Sequence, residues 1–388
     1  MKRKALWISI IGILLIGFVC LFCYRHYIRQ KQIEQKKHTG LVSEDFPVQD
    51  IKHQSKNIYE DAYQTEADNQ LQNMRNNNSY TIEDPLVVWN PYGTNTGSFY
   101  YYGVSEQDSY VVCEVTCNNG SVIKHRLKND SDSGVTKTHE YLITGLAPGL
   151  ENHFSLAFYD AGNNLIHTYQ YTVTLKKDKQ IPAITKVEKG NSKSSLTDGL
   201  FAVLGHDKSK AKNIYYYDNN GICRGKTPLN DYRTDRILTI DGKLVYSYSL
   251  TDIAFVNRLG KVEKTLSLGK YELHHDFMYD EKRNELLCLV NDTDKDTIED
   301  VLISVNIETG KIKKLVDFEK MMKSMRKRSV QRKGGKNTYG GTELDWLHLN
   351  SLDMINDKDA VFSSREESVI IKINNIYENP SIDYLIHS

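Results

Sequence analysis

The sequence predicts an all-β protein, and two observations carry that prediction. Beyond residue 80, short segments rich in tyrosine and β-branched residues alternate with Gly and Asn turns; the chain holds 25 Tyr against 11 Phe and only 7 Pro. From about residue 185, a unit of apolar strand, glycine turn and second strand recurs. A length of 388 residues leaves room for two or three domains. Lys+Arg and Asp+Glu are both 50, so the net charge is zero. Bulk electrostatics therefore gives no reason to expect nucleic acid or an acidic substrate as partner.

The N-terminal segment, residues 1–24, opens with "MKRK" and continues as "ALWISIIGILLIGFVCLFCY" (5–24), 20 residues without a charge. That length spans a bilayer as a helix. A cleaved signal peptide has a shorter apolar core and a small-residue cleavage site, so an uncleaved transmembrane signal-anchor is expected. Basic residues flank both sides and leave its orientation open. Residues 25–79 are polar, rich in Gln, Asn and Lys, and read as a stalk.

Residues 80–178 read as a compact β-sandwich. "SFYYYGVS", "SYVVCEVTC", "HEYLITGL", "NHFSLAFYD" and "LIHTYQYTVTL" are short strands at roughly even spacing. The stretch "HEYLITGLAPGLENHFSLAFYDAGN", with its Leu-x-Pro corner before an aromatic strand, resembles the end of a fibronectin type III-like domain. Cys113 and Cys117 lie four apart; a disulfide and two separate thiols both remain open, though four residues of extended strand carry the sulfurs too far apart without a bend. No Cys-x-x-Cys pair outside the apolar segment suggests zinc, and neither a metal nor a cofactor is expected.

Residues 185–388 carry the repeat. "IYYYDNNGICRGKTPL", "IAFVNRLGKVEKTLSL" and "LISVNIETGKIKKLVDF" place their turn glycines at Gly221, Gly260 and Gly310, spaced by 39 and 50. "VIIKINNIYENPSIDYLI" is a fourth, altered copy. A period of 40–50 residues with four strands per unit indicates a β-propeller. In a propeller the innermost strands line a central channel, so equivalent side chains of successive blades face one another. An ungapped comparison lays His274 over His348, Asp276 over Asn350 and Leu286 over Ala360. His274 and His348 are thus expected to meet across the channel, with Arg365 ("SSREES", 363–368) beside them. Two histidines and an arginine suit an anionic group: the guanidinium is a permanent fork of donors, and imidazoles titrate near neutrality.

Together, "DPLVVWNPYGTN" (84–95), "HHDF" (274–277), "DWLHLNS" (345–351) and "SSREESVIIKI" (363–373) resemble the bacterial aryl-sulfate sulfotransferase family. The resemblance runs from about residue 80 to the end. It implies a fibronectin-like domain followed by a six-bladed propeller. The implied reaction moves a sulfuryl group from a phenolic sulfate donor to a phenol acceptor through a sulfated histidine. No nucleotide donor or cofactor is needed, in keeping with the lack of a P-loop motif. Carried over, the resemblance makes His274, His348 and Arg365 catalytic. His275 and Asn350 become substrate-binding, and Tyr92 either reaches the channel or is a turn tyrosine. It also implies export, with the folded part outside the membrane.

One departure stands out. The family's nucleophilic histidine belongs to a Gly-Gln-His motif of a later blade, and no such motif occurs here. Three or four blade units are legible where six are implied. The expectation is an incomplete propeller, inactive alone, for which a second chain could supply the missing blades. The alternative is a non-catalytic, membrane-anchored propeller that binds ligands or partners. Two further stretches read more plainly. "NDTDKDTIED" (291–300) departs from a calcium loop at its sixth and twelfth positions and reads as a solvated acidic turn. "MMKSMRKRSVQRKGGK" (321–336), with seven basic residues, reads as a solvated helix and loop.

Overall fold

One 19-residue strand organises the first half of the molecule. The computed structural model describes residues 41–42 and 48–387, apart from 119, 130–133, 176, 182–187, 189, 191–198, 206–211 and 334–343. Two short strands, β1 (Leu41–Val42) and β2 (Val48–Gln49), precede helix α1 (Asp61–Asn77). Then come β3 (Leu86–Trp89), the long β4 (Phe99–Cys117), β5 (Val122–Arg126), β6 (Thr136–Ile143), β7 (Glu151–Tyr159) and β8 (Leu165–Thr174). The first part of β4 pairs with β3 and β6, and its second part with β5 and β7. Its pairing shifts between Val104 and Ser109. A single strand therefore serves two layers. Phe99, Tyr101, Tyr141 and Ile143 from one layer and Val111, Cys113, Phe154 and Tyr171 from the other share one core, as the period-2 apolar pattern requires.

His139 secures the bend in β4. It is fully buried, and its Nε2 lies 3.0 Å from both Ser105 Oγ and Ser109 Oγ, which flank the shift. Its Nδ1 lies 3.0 Å from the Tyr141 hydroxyl. Burial pushes its pKa down from 6.5 to about 4, against a weaker opposing pull from Asp108. Between those two pH values the unfolded chain binds a proton that the native chain does not. Stability is therefore complete above pH 6.5 and declines as pH falls toward 4, by up to about 3 kcal/mol. Urea unfolding at stepped pH should show this decline in the wild type and a flatter one in His139→Gln. Equal slopes would contradict it.

The expected polar stalk needs correcting for residues 48–79. Ala67 and Leu71 of α1 are buried against Leu86, Val88, Tyr92 and Tyr100 of the sandwich. Gln64 Nε2 donates to the carbonyls of Ile58 (2.6 Å) and Tyr92 (3.1 Å), and its Oε1 accepts from the Val262 amide (3.1 Å). Tyr59 stacks on Tyr248 at 3.9 Å and donates to the Pro228 carbonyl at 2.7 Å. A narrow face of Gln64, Ala67 and Leu71 on an otherwise polar helix packs it on the sheet, a pattern that composition alone disguises. The expected transmembrane span, residues 5–24, lies outside the described residues, as does most of the segment up to residue 47.

The second half is a run of antiparallel sheets. The first has three strands, β9 (Phe201–Val203), β10 (Asn213–Tyr217) and β11 (Cys223–Pro228). The second has β12 (Ile237–Ile240), β13 (Lys243–Ser247), β14 (Asp252–Val256) and β15 (Val262–Ser267). The third has β16 (Tyr271–Asp280), β17 (Glu285–Asp292), β18 (Val301–Asn306) and β19 (Ile312–Asp317). Two helices, α2 (Phe318–Met321) and α3 (Lys323–Lys333), lead to the fourth: β20 (Leu349–Met354), β21 (Ala360–Ser364), β22 (Val369–Asn374) and β23 (Ser381–His387). Each four-stranded sheet is an up-and-down meander, and the first strands β12, β16 and β20 lie side by side. The fold is thus all-β and propeller-like. Gly221, Gly260 and Gly310 take φ of 74°, 81° and 68° at the turns where the repeat placed them.

Cys113 and Cys117 are separate, buried thiols. Asp292 is buried rather than solvated, held by Lys270 (2.7 Å) and Lys314 (3.2 Å). Lys295 occupies the middle of the acidic stretch, 3.0 Å from Asp300 and 3.1 Å from Asp317. The carboxylates at calcium-loop spacing, Asp292, Asp294 and Asp296, are neutralised by Lys270, Lys314 and Arg326.

Candidate active site

The site forms where β16 and β20 lie side by side. Pairing of β16 with β17 is interrupted between Leu273 and Phe277, and His274, His275 and Asp276 occupy that bulge. His275 has φ 54°. Pairing of β20 with β21 is likewise interrupted between Leu349 and Ser351, and His348, just before β20, has φ 52°. A bulge re-aims side chains and is common beside active sites. Here it turns His275 and His348 toward each other, with their Nε2 atoms 2.8 Å apart.

This corrects the expected pairing of His274 with His348. The histidine that meets His348 is His275, because the bulge in β16 re-aims it, while the registers of Asp280 with Glu285 and Met354 with Ala360 still lay His274 over His348. Asp276 and Asn350, laid over each other in the sequence, make different contacts. Asp276 accepts from Arg236 and, at 2.9 Å, from the Leu352 amide, tying three neighbouring sheets together.

Three groups missed by the sequence reading complete the cluster. Glu299, in the loop between β17 and β18, has φ 59°. Its amide donates to Asn291 Oδ1 (2.8 Å), and its carbonyl accepts from the Leu349 amide (3.0 Å). Its carboxylate touches His348 Nδ1 and lies 3.7 Å from His275 Nε2. Asp345, fully buried, places Oδ2 2.8 Å from His348 Nδ1 and 3.5 Å from Arg365 Nη2. Glu366 holds the Arg365 guanidinium through Nη2 at 2.8 Å and Nε at 3.1 Å. Asp345 was visible in the "DWLH" motif, three residues from His348. Glu299 left no local signal, because the chain brings it from another sheet.

The segment 345–348 docks on residues 299–300 at two points. Trp346 Nε1 donates to Asp300 Oδ2 at 2.8 Å, and His348 meets Glu299. The electrostatics follow from this packing. Burial alone would lower the His348 pKa, but the carboxylates of Asp345 and Glu299 raise it to about 9. Burial alone would raise the Glu299 carboxyl, yet its contacts with His275 and His348 hold it below the usual range. Burial drives His274 down to about 3, so its ring stays neutral.

Of the residues singled out in the sequence, the structure brings His275, His348 and Arg365 together around Asp345 and Glu299. His274 sits against His275, their rings perpendicular with centroids 5.5 Å apart. Asn350 is exposed and accepts from Ser363 Oγ. Tyr92 is elsewhere: it is buried between α1 and the sandwich and donates to Asp68 Oδ1 at 2.8 Å. The apolar packing of α1 over the turn at residues 90–93 draws it there. Although no metal was expected, two triads of ligand-type groups meet here. They are His274, His275 and Glu299, and Glu299, Asp345 and His348; within each, the ligand atoms lie within 4.8 Å of one another.

An imidazole pair, a guanidinium and orienting carboxylates thus converge where the first strands of two sheets of a propeller-like fold lie side by side. The Arylsulfotransferase (ASST) family model matches residues 185–388, and the chain belongs to that family of sulfotransferases. No curated protein matches the chain. Among solved structures, the β-propeller domain of Myceliophteria thermophila Cps50 (Swd1) is similar at 10% identity and TM-score 0.31, covering 80% of this chain and 88% of that one. KlHsv2 with loop 6CD replaced by a Gly-Ser linker is similar at 11% identity and TM-score 0.25, covering 75% and 92%. Likenesses this loose say nothing about function.

Proposed function

We propose that the cluster binds a phenolic sulfate ester and passes its sulfuryl group to a phenol by way of a sulfated histidine. The observation that carries this reading is the His275–His348 pair, 2.8 Å apart, with Arg365 reaching the same Asp345 carboxylate as His348. In this scheme Arg365 swings from Glu366 onto the sulfuryl oxygens, where its fork matches a tetrahedral oxyanion. Two carboxylates occupy Nδ1 of His348, and its Nε2, 2.8 Å from His275 Nε2, exchanges that partner for the phenolic oxygen when the ester binds. When the S–O bond breaks, the phenolate takes its proton from that nitrogen, and the sulfuryl sulfur bonds to a histidine nitrogen. None of His274, His275 and His348 stands in a Gly-Gln-His motif, so this chain is proposed to be inactive alone, the acceptor histidine being supplied by a second chain. The donor and acceptor are a phenolic sulfate and a phenol. The protein is proposed to sit in the cell membrane by residues 5–24 with its folded part outside.

Calorimetry with 4-nitrophenyl sulfate and the full chain tests the reading. Arg365→Ala should weaken binding by about ten- to a hundredfold, the worth of a charge-assisted hydrogen bond. Arg365→Lys should recover part of it, and 4-nitrophenol should bind equally to all three. A sulfate ester that binds no better than the free phenol, or without regard to Arg365, would overturn it. Mass spectrometry after incubation should find no sulfated peptide containing His275 or His348. A second reading, a propeller that binds ligands without catalysis, is favoured by one observation: Glu366 already holds the Arg365 fork.

A further inference from the structure

His274 poses a separate problem. It is 5% exposed, and among the described residues neither ring nitrogen has a hydrogen-bond partner of good geometry, the Val290 backbone acting only weakly on the ring. A buried imidazole left in that state costs on the order of 1–3 kcal/mol unless something outside the polypeptide satisfies it. Its surroundings indicate what that is. Adjacent residues in a regular strand point to opposite faces. The bulge of β16, with His275 at φ 54°, instead lets His274 and His275 address one point. The Glu299 carboxylate reaches the same point from the loop after β17, and the three ligand atoms lie within 4.8 Å of one another.

Glu299 decides the sign of the missing partner. An oxyanion placed among these three groups would face a carboxylate; a cation would be drawn to it. Two imidazoles and one carboxylate form the donor set of open-sited zinc and other first-row transition metals, with distances of about 2.0–2.2 Å. The supporting shell is built, since Asn291 Oδ1 takes the Glu299 amide at 2.8 Å and the Leu349 amide holds its carbonyl. Second-shell bonds of this kind orient metal ligands. Arg365 Nη2 lies 3.5 Å from Asp345, which meets His348 Nδ1 beside Glu299, so the guanidinium is held next to the triad by a carboxylate that is not part of it.

We infer that His274, His275 and Glu299 bind one divalent transition-metal cation, beside the groups assigned to the sulfate ester. The site leaves at least one coordination position open, toward His348.

Zinc titration of the chelator-treated full chain, followed by calorimetry, tests this. One zinc per chain is expected, and cobalt(II) loaded into the metal-free chain should show the visible absorption of a low-coordinate site, lost on adding zinc. His274→Ala and Glu299→Gln should each weaken zinc by at least about tenfold. His153→Ala, which removes an exposed His–Glu pair with Nε2 3.0 Å from Glu151, should leave it unchanged and so reports adventitious surface zinc. Circular dichroism establishes that each variant is folded, and His274→Gln serves if the alanine variant is not. No zinc bound at micromolar concentration, or binding indifferent to both His274 and Glu299, would overturn the inference and assign His274 to a buried water. The outcome is read without activity. The sulfate-ester reading, tested through Arg365, stands or falls apart from it.

Discussion

Arg224→Met is expected to cost the protein about 3–5 kcal/mol, the usual consequence of removing one partner from a buried ion pair. Arg224, on β11, is fully buried. Its Nε donates to Asp218 Oδ2 at 2.7 Å, its Nη1 to the Gly145 carbonyl at 2.9 Å and Cys117 Sγ at 2.8 Å, and its Nη2 to Ser121 Oγ at 2.6 Å. Gly145, Cys117 and Ser121 belong to the sandwich, whereas Asp218 belongs to the first sheet of the second half. One guanidinium therefore joins the two halves through its whole fork. Methionine fills much of the volume but leaves the Asp218 carboxylate buried without its cation. Burial alone would raise the Asp218 pKa, yet hydrogen bonds from Ser121, Ile222 and Arg224 hold it below the usual carboxylate range. Denaturant unfolding measures the loss, and Arg224→Met with Asp218→Asn should lose less than Arg224→Met alone. A loss for the single variant within about 0.5 kcal/mol, the range of surface substitutions, would show that the junction does not depend on this pair.

Trp346→Ala should cost about 3–5 kcal/mol as a large-to-small change in a packed core. Trp346 is fully buried in a cluster that joins Leu287, Leu289, Leu302 and Phe318 of the third sheet's side to Leu352, Phe362 and Ile371 of the fourth. The change also removes the donor to Asp300 Oδ2, and with it one of two points by which residues 345–348 dock beside Glu299. Sulfate-ester binding should therefore fall along with stability. Trp346→Phe, which keeps most of the apolar contact and loses only the N–H, should fall between wild type and alanine in both measurements. If Trp346→Ala unfolds as easily as expected but binds 4-nitrophenyl sulfate like the wild type, His348 is positioned by its own backbone and not by this dock.

The particular errors of the sequence reading have a common cause. His348 and Arg365 were legible because they stand in compact motifs, and the "HHDF" stretch was found for the same reason. Which of its two histidines faces His348 was not legible. That depends on a bulge, and a bulge has no reliable mark in spacing. Tyr92 lies in a motif of the same quality and yet packs under α1, since a helix read as polar stalk turned out to carry Ala67 and Leu71 on one face. Glu299 was hidden in an acidic run whose other members are engaged by Lys270, Lys295, Lys314 and Arg326. Only its left-handed backbone and its place between two sheets separate it from them.

What the sequence determined by itself is local. Tyrosine-rich strands, turn glycines at repeated spacing and four short motifs specify β-meanders and their order, because period-2 patterning and left-handed turns are properties of a few consecutive residues. What only the tertiary structure decided is convergence. His275, Glu299, Asp345, His348 and Arg365 come from two sheets and the loops between them, and the docking of Trp346 on Asp300 sets how they meet. Side chains drawn together by packing across 90 positions of chain leave no pattern in any short window of it.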